Sequence, residues 1–247
     1  SIGSIVASLY AMGYTTDEML KLFKYFARDI MKVDFKSYFS SVRESKKIIS
    51  YGFISGENIE LAIEECARLK NIKKLQDLKY PIVMPTVDIK ENKKYVSTNH
   101  ENDEKFPSDT YLNEISIGKA VRASASYPGV FAPTIYKGHK FVDGGIIDNL
   151  PAHEVRKLGA EKVLSVRFSS KNTTDPKNLI EVGFKAVDLL FDQRTAAEVE
   201  NSDLTLTLDL EEASVFNIKK IDYCYNQGYA CAMENMVKIK EIFKDEK

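Results

Sequence analysis

Lys140-Phe141-Val142-Asp143-Gly144-Gly145-Ile146-Ile147-Asp148-Asn149-Leu150-Pro151 is the stretch on which the reading of this chain turns. Just before it, Thr134-Ile135-Tyr136, Lys137-Gly138-His139 and Lys140-Phe141-Val142 spell two short strands about a glycine turn, a hairpin that delivers Asp143 at a strand end. The two glycines that follow let the chain turn sharply and let backbone approach a ligand. An aspartate before two glycines is, on its own, an ordinary turn signal. It gains weight from the start of the sequence, where Ser1-Ile2-Gly3-Ser4-Ile5-Val6-Ala7-Ser8-Leu9 has the form of the second half of a G-x-S-x-G nucleophile elbow running into a helix. A serine hydroxyl is a poor nucleophile at neutral pH and needs a base within hydrogen-bond reach, a role that a carboxylate can fill.

Working outward, residues 2–14 read as a small-residue helix with Ile2, Val6, Leu9 and Met12 on one side, Ala7, Ser8 and Ala11 permitting close approach, and Gly13 as its stop. Thr16 is expected to cap an amphipathic helix in which Met19, Leu20, Phe23, Phe26 and Ile30 recur at helical spacing, opposite Lys21, Lys24 and Arg28. A helix is predicted over 58–69 and a strand over 80–88 with Tyr95-Val96 beside it. A polar loop over 97–110 and a helix over 117–126 follow. Beyond Asp143 the pattern is a short helix (153–158), an apolar strand typical of a buried parallel sheet (162–168), a long helix (177–199), a strand (204–208) and a closing helix (218–243). Strands interleaved with helices predict an α/β fold, a three-layer open sheet with helices on both faces, as a single domain over 1–247. In such sheets chemistry collects at the carboxyl ends of strands.

With 35 basic and 36 acidic residues well mixed along 247, a formal charge of -1 provides no field for nucleic acid. Cys66, Cys224 and Cys231 have no paired spacing and no neighbouring histidines, so neither a zinc site nor a disulfide framework is expected, and the three read as buried thiols. No apolar run approaches the ~20 residues of a membrane span, and residues 1–14 lack the basic start of a signal peptide. The expectation is a cytoplasmic protein whose contact with membranes is peripheral. Phe23, Tyr25, Phe26, Phe35, Tyr38 and Phe39, interleaved with lysines, read either as a membrane-facing surface or as helices packed on their own sheet, and the second is preferred.

Three blocks, Ser1 to Ala7, Ala120-Val121-Arg122-Ala123-Ser124-Ala125-Ser126-Tyr127-Pro128-Gly129-Val130-Phe131-Ala132-Pro133 and Phe141 to Pro151, come in an order that resembles the patatin-like phospholipase family, with the best match to bacterial members of the soluble type. The stretches 52–58, the strand ending at Asp88 and 158–164 are also similar. The resemblance implies hydrolysis of acyl esters in lipids through an acyl-enzyme, by a serine and aspartate dyad without a catalytic histidine and without metal or cofactor. By motif position Ser1 is the nucleophile and Asp143 its base. Ile2 and Gly3, with Gly144 and Gly145, fall at the oxyanion and substrate-binding positions. The family also carries a glycine-rich oxyanion loop and a strand upstream of the nucleophile, on the order of 40 residues by element-length priors. The sequence has neither, so the chain is expected to be truncated at Ser1. Asp88 is read as support for the active-site loops. Arg122 either orients acyl or phosphate groups or forms a structural ion pair.

Three other readings are weaker. An N-terminal-nucleophile hydrolase places its nucleophile on a strand and leaves the Asp143 block unexplained. A triad through His153 needs a histidine that reads as a surface or capping residue, while His100 and His139 sit in a loop and a turn. A catalytically inactive lipid-binding module of the same fold would have had no reason to keep both dyad positions.

Overall fold

The first helix, α1 (Gly3–Ala11), ends where Gly13 takes φ of +85°. Gly13 N–H donates to Tyr10 O at 2.9 Å and Tyr14 N–H to Leu9 O at 3.1 Å, the paired closure that satisfies the last carbonyls of a helix. The computed structural model describes residues 1–30, 52–169, 175–210 and 220–244, which fall into two units, Ser1–Ile147 and Asp148–Lys247. Among the described residues no helix is long and apolar enough to cross a membrane.

In the first unit α1 leads to α2 (Thr16–Ile30), β1 (Gly52–Ile54) and α3 (Glu57–Leu69), then β2 (Val83–Asp88), β3 (Lys93–Thr98) and β4 (Tyr111–Leu112). There follow α4 (Ile117–Ser124), β5 (Gly129–Phe131) and the hairpin β6 (Thr134–Tyr136) and β7 (His139–Asp143). Five strands form one sheet in the order β4-β3-β2-β7-β6, and β1 pairs in parallel with β5. The α/β class, the hairpin and the pairing of Tyr95-Val96 beside β2 are borne out, although β2 has antiparallel neighbours on both sides. Pro85 is tolerated inside this central strand because pairing with β7 begins only at Thr86, opposite Asp143, so its missing N–H falls beyond the end of that ladder.

Two details of the first helices depart from expectation. In α1 the buried residues are Ser4, Ser8, Leu9 and Ala11, while Ile2, Val6 and Tyr10 face outward. Small side chains let α1 lie close to its neighbours, and the serines satisfy themselves locally, Ser4 Oγ donating to Ser1 O at 2.7 Å and Ser8 Oγ to Ile5 O at 3.0 Å. The cap of α2 is Thr15 and not Thr16: Thr15 Oγ1 accepts from Glu18 N–H at 3.3 Å, and Glu18 Oε2 accepts from Thr15 N–H at 2.7 Å, a reciprocal capping box. Phe23 and Phe26 line an apolar crevice with Ile5, Leu9, Ile59 and Ile63, which supports internal packing for these two; Phe35, Tyr38 and Phe39 lie outside the described residues.

Tyr14 also closes α3. Its hydroxyl donates to Cys66 O at 2.8 Å, a carbonyl near the end of that helix which loses its own partner because Lys70 N–H turns to Ala67 O. Burial, then the neighbouring Cys66, push the Tyr14 phenol up to about 12 from its usual 10. A folded-state pKa above the unfolded one adds stability that is complete below pH 10 and is lost as pH rises toward 12. Urea midpoints of the wild type should therefore fall steeply across this window. Tyr14→Phe should be weaker by about 1–2 kcal/mol at pH 7 and flatter above pH 10; an equally steep alkaline fall in the variant would show that another group is responsible.

The second unit holds α5 (Ala152–Lys157), β8 (Leu164–Phe168), α6 (Leu179–Val199), β9 (Leu204–Leu208), α7 (Ile221–Glu234) and α8 (Met236–Ile242). β8 runs parallel to β9 as expected, but it is covered on one face only: Ser165 is buried, while Val166 and Phe168 are exposed. The predicted closing helix is interrupted at Asn235, whose side-chain amide and backbone N–H both donate to Cys231 O, at 2.9 and 3.2 Å. Cys66 is buried, whereas Cys224 and Cys231 are only half-buried, because α7 has no fully buried position.

Candidate active site

Asp143 ends β7 and caps the short 3-10 turn Gly144–Ile146. It is fully buried, and its own N–H donates to Ser126 O at 2.9 Å, in the loop after α4. Oδ1 accepts from Gly145 N–H at 2.9 Å. Oδ2 is buried and has no hydrogen-bond partner among the described residues. A lone acceptor out of water costs free energy, so a carboxylate held this way is a destabilised group kept in one orientation.

Ser1 lies beside it at the mouth of α1, with its backbone nitrogen 3.4 Å from Asp143 Oδ1 and 3.3 Å from Ser124 Oγ. The Ser1 side chain is about one-third exposed, at 37%. Ser4 N–H is the first to be taken up, by Ser1 O at 2.9 Å, so the amides of Ile2 and Gly3 stand at the open end of the helix, where N–H groups lack intrahelical acceptors and the helix dipole favours negative charge. Gly3 has open space around the position of a Cβ.

The two glycines after Asp143 serve different ends. Gly144 is pressed onto β2, where a Cβ would come within 2.8 Å of Pro85 Cβ and closer still to the Pro85 carbonyl. Gly145 spends its N–H on Asp143. Thr86 Oγ1 donates to Val142 O at 2.7 Å and binds the same stretch of β7 to β2.

Ser124 is the neighbour that sequence reading passed over. It is buried at the end of α4, inside the Ala120–Pro133 block, and is held opposite Ser1 because α4 is anchored at both ends. At its start Ser116 caps the helix and Glu64 Oε1 accepts from Gly118 N–H at 2.9 Å, with α3 so close that a Cβ on Gly118 would sit 2.7 Å from Glu64 Cγ. At its end Arg122 donates to Glu60 Oε2 at 3.0 Å and to Ser55 O at 2.9 Å. Those contacts support the structural reading of Arg122.

Asp88, at the end of β2, is also fully buried. Its Oδ1 accepts from Lys90 N–H at 2.8 Å and Lys140 N–H at 3.3 Å, and its Oδ2 meets His139 Nδ1 at 2.7 Å. Burial acts to raise the carboxyl's pKa, but the bonds from His139, Lys90 and Lys140 more than offset it and hold the group below the ordinary carboxylate range. His100 Nδ1 lies 2.8 Å from Glu101 O. His153 stands on α5, in the second unit, where its backbone N–H donates to Glu198 Oε2 at 3.4 Å.

A family model described as patatin-like phospholipase matches residues 1–156. The uncharacterized protein R571 of Acanthamoeba polyphaga mimivirus is 30% identical over 183 residues, 72% of this chain and 56% of that protein. Lysophospholipase NTE1 of Meyerozyma guilliermondii is 40% identical over 58 residues, 24% of this chain and 4% of the yeast protein. Patatin-like phospholipase domain-containing protein 7 of Mus musculus is 40% identical over 65 residues, 26% of this chain and 5% of the mouse protein. The chain thus spans little more than half of the viral relative and a small fraction of the other two.

Proposed function

Since the chain belongs to the patatin-like phospholipase family, we propose that it hydrolyses acyl esters in lipids, with Ser1 as nucleophile and Asp143 as base. The observation that carries this reading is the buried Asp143 carboxylate beside Ser1, one oxygen steadied by Gly145 N–H and the other without a partner among the described residues. An acceptor left unused in the protein interior is available to a serine hydroxyl.

In this reading Ser1 Oγ attacks the ester carbonyl carbon and gives its proton to Asp143. The negative charge that develops on the carbonyl oxygen is met by the Ile2 and Gly3 amides at the open end of α1. Collapse of the tetrahedral intermediate expels the alcohol, which takes the proton from Asp143 and leaves an acyl-serine. Water, deprotonated by Asp143, then releases the fatty acid and restores Ser1. Gly144 and Gly145 contribute by placing and orienting the carboxylate.

A fluorophosphonate probe tests the nucleophile directly. One adduct per chain, mapped by peptide mass to Ser1 and absent from Ser1→Ala, is the expected result. A protein that binds phospholipid vesicles but takes no adduct would sink the hydrolase reading in favour of a lipid-binding module.

A further inference from the structure

At the far end of β7 from Asp143, two carboxylates and an imidazole converge with no part in the chemistry above. We propose that Asp88, Glu91 and His139 form a binding site for a divalent transition-metal ion of the zinc class. The ligand atoms of all three lie within 4.8 Å of one another, with His139 Nδ1 2.7 Å from Asp88 Oδ2 and 3.6 Å from Glu91 Oε1. Ligands bound to one tetrahedral ion at about 2.0–2.2 Å stand about 3.3–3.6 Å apart, so small side-chain adjustments convert the present spacing into a coordination shell.

Each ligand is already oriented by a second contact, as in built metal sites. Asp88 Oδ1 is tied to the Lys90 and Lys140 amides, which leaves Oδ2 as the oxygen that faces His139. Glu91 Oε2 accepts from Tyr95 hydroxyl at 2.7 Å, and Oε1 faces the imidazole. The His139 ring is stacked on Phe141 and tilted against Tyr95, which restricts its rotation.

Charge fits as well. Two carboxylates and an imidazole suit a dication, and Lys93, two residues after Glu91, is drawn off to Asp109 at 3.1 Å. Glu91, 44% exposed, and His139, 24% exposed, give solvent access, so water can complete the shell. To bind the ion Nδ1 must present its lone pair, so the one proton of the coordinated neutral ring sits on the other nitrogen. Asp143 lies four residue steps along the strand from His139, roughly 13 Å, so an ion here would clamp β2 to β7 and not touch substrate.

The test is titration of the protein with Zn²⁺ by calorimetry, with Co²⁺ absorption as a second readout of an N/O shell. One ion per chain is expected, with affinity at least tenfold lower in Glu91→Gln and abolished in His139→Gln, while His100→Gln and His153→Gln bind as the wild type does. Should His139→Gln fail to fold, Glu91→Gln decides alone, because its side chain is exposed enough to be replaced safely. A wild type that takes up no Zn²⁺ at millimolar concentration, or uptake unchanged by Glu91→Gln, overturns the site and leaves a hydrogen-bonded clamp.

Discussion

Asp143→Asn should lower ester turnover by on the order of 10²- to 10⁴-fold or more, without loss of the fold. The amide oxygen can still accept from Gly145 N–H at the place where Oδ1 does now, so the turn after β7 keeps its closure. What disappears is the acceptor that would take the serine proton. Replacing a buried carboxylate that has an unpartnered oxygen also removes a desolvation penalty, so the variant should melt at or above the wild-type temperature. Turnover and thermal melts on the same preparations would check both halves. Retained turnover in a folded Asp143→Asn protein would end the dyad mechanism, and an unfolded variant would place Asp143 among structural residues.

Gly144→Ala carries the largest expected cost in stability. Its added methyl group would overlap the carbonyl of Pro85, and a backbone atom in a central strand cannot swing aside as a side chain can. Overpacking of this kind costs about 1–3 kcal/mol and occasionally more. Because relief must come by separating β7 from β2, turnover should fall along with the urea midpoint. Gly3→Ala is the matched control: nothing lies within 4 Å of its Cβ position, so its stability should change by no more than about 0.5 kcal/mol. Equal destabilisation by both substitutions would mean that chain flexibility, and not crowding against Pro85, is what glycine provides.

Much of this architecture was legible because its signals are local. Gly13 marks the end of α1 through a backbone conformation that glycine adopts at little cost, and Gly138 does the same for the hairpin between β6 and β7. Asp143, Ser1 and the glycines beside them could be picked out for the same reason, each lying in a short run with a recognisable form. Elements that depend on distant partners were not legible. β1 and β5 have three residues each, too few for any periodicity to register, and exist because they pair with each other across some 75 positions of sequence. Ser124 looked like one small residue among several, and only the anchoring of α4 by Glu60, Glu64 and Ser55 brings it opposite Ser1. Likewise Asp88 and His139, 51 residues apart, meet through strand register. In α1 the close approach expected at Ser8 and Ala11 buries both, whereas Ile2 and Val6, placed on one side with the buried Leu9 and Met12, face outward.

The single hydroxyl that joins the ends of α1 and α3 has a kinetic consequence. Helix ends ordinarily fray independently, each amide exchanging with solvent according to its own local opening. Here the turn that closes α1 positions Tyr14, and Tyr14 in turn occupies the free Cys66 carbonyl of α3. Unwinding of either end removes a partner from the other, so two segments more than fifty residues apart are bound into one cooperative opening unit.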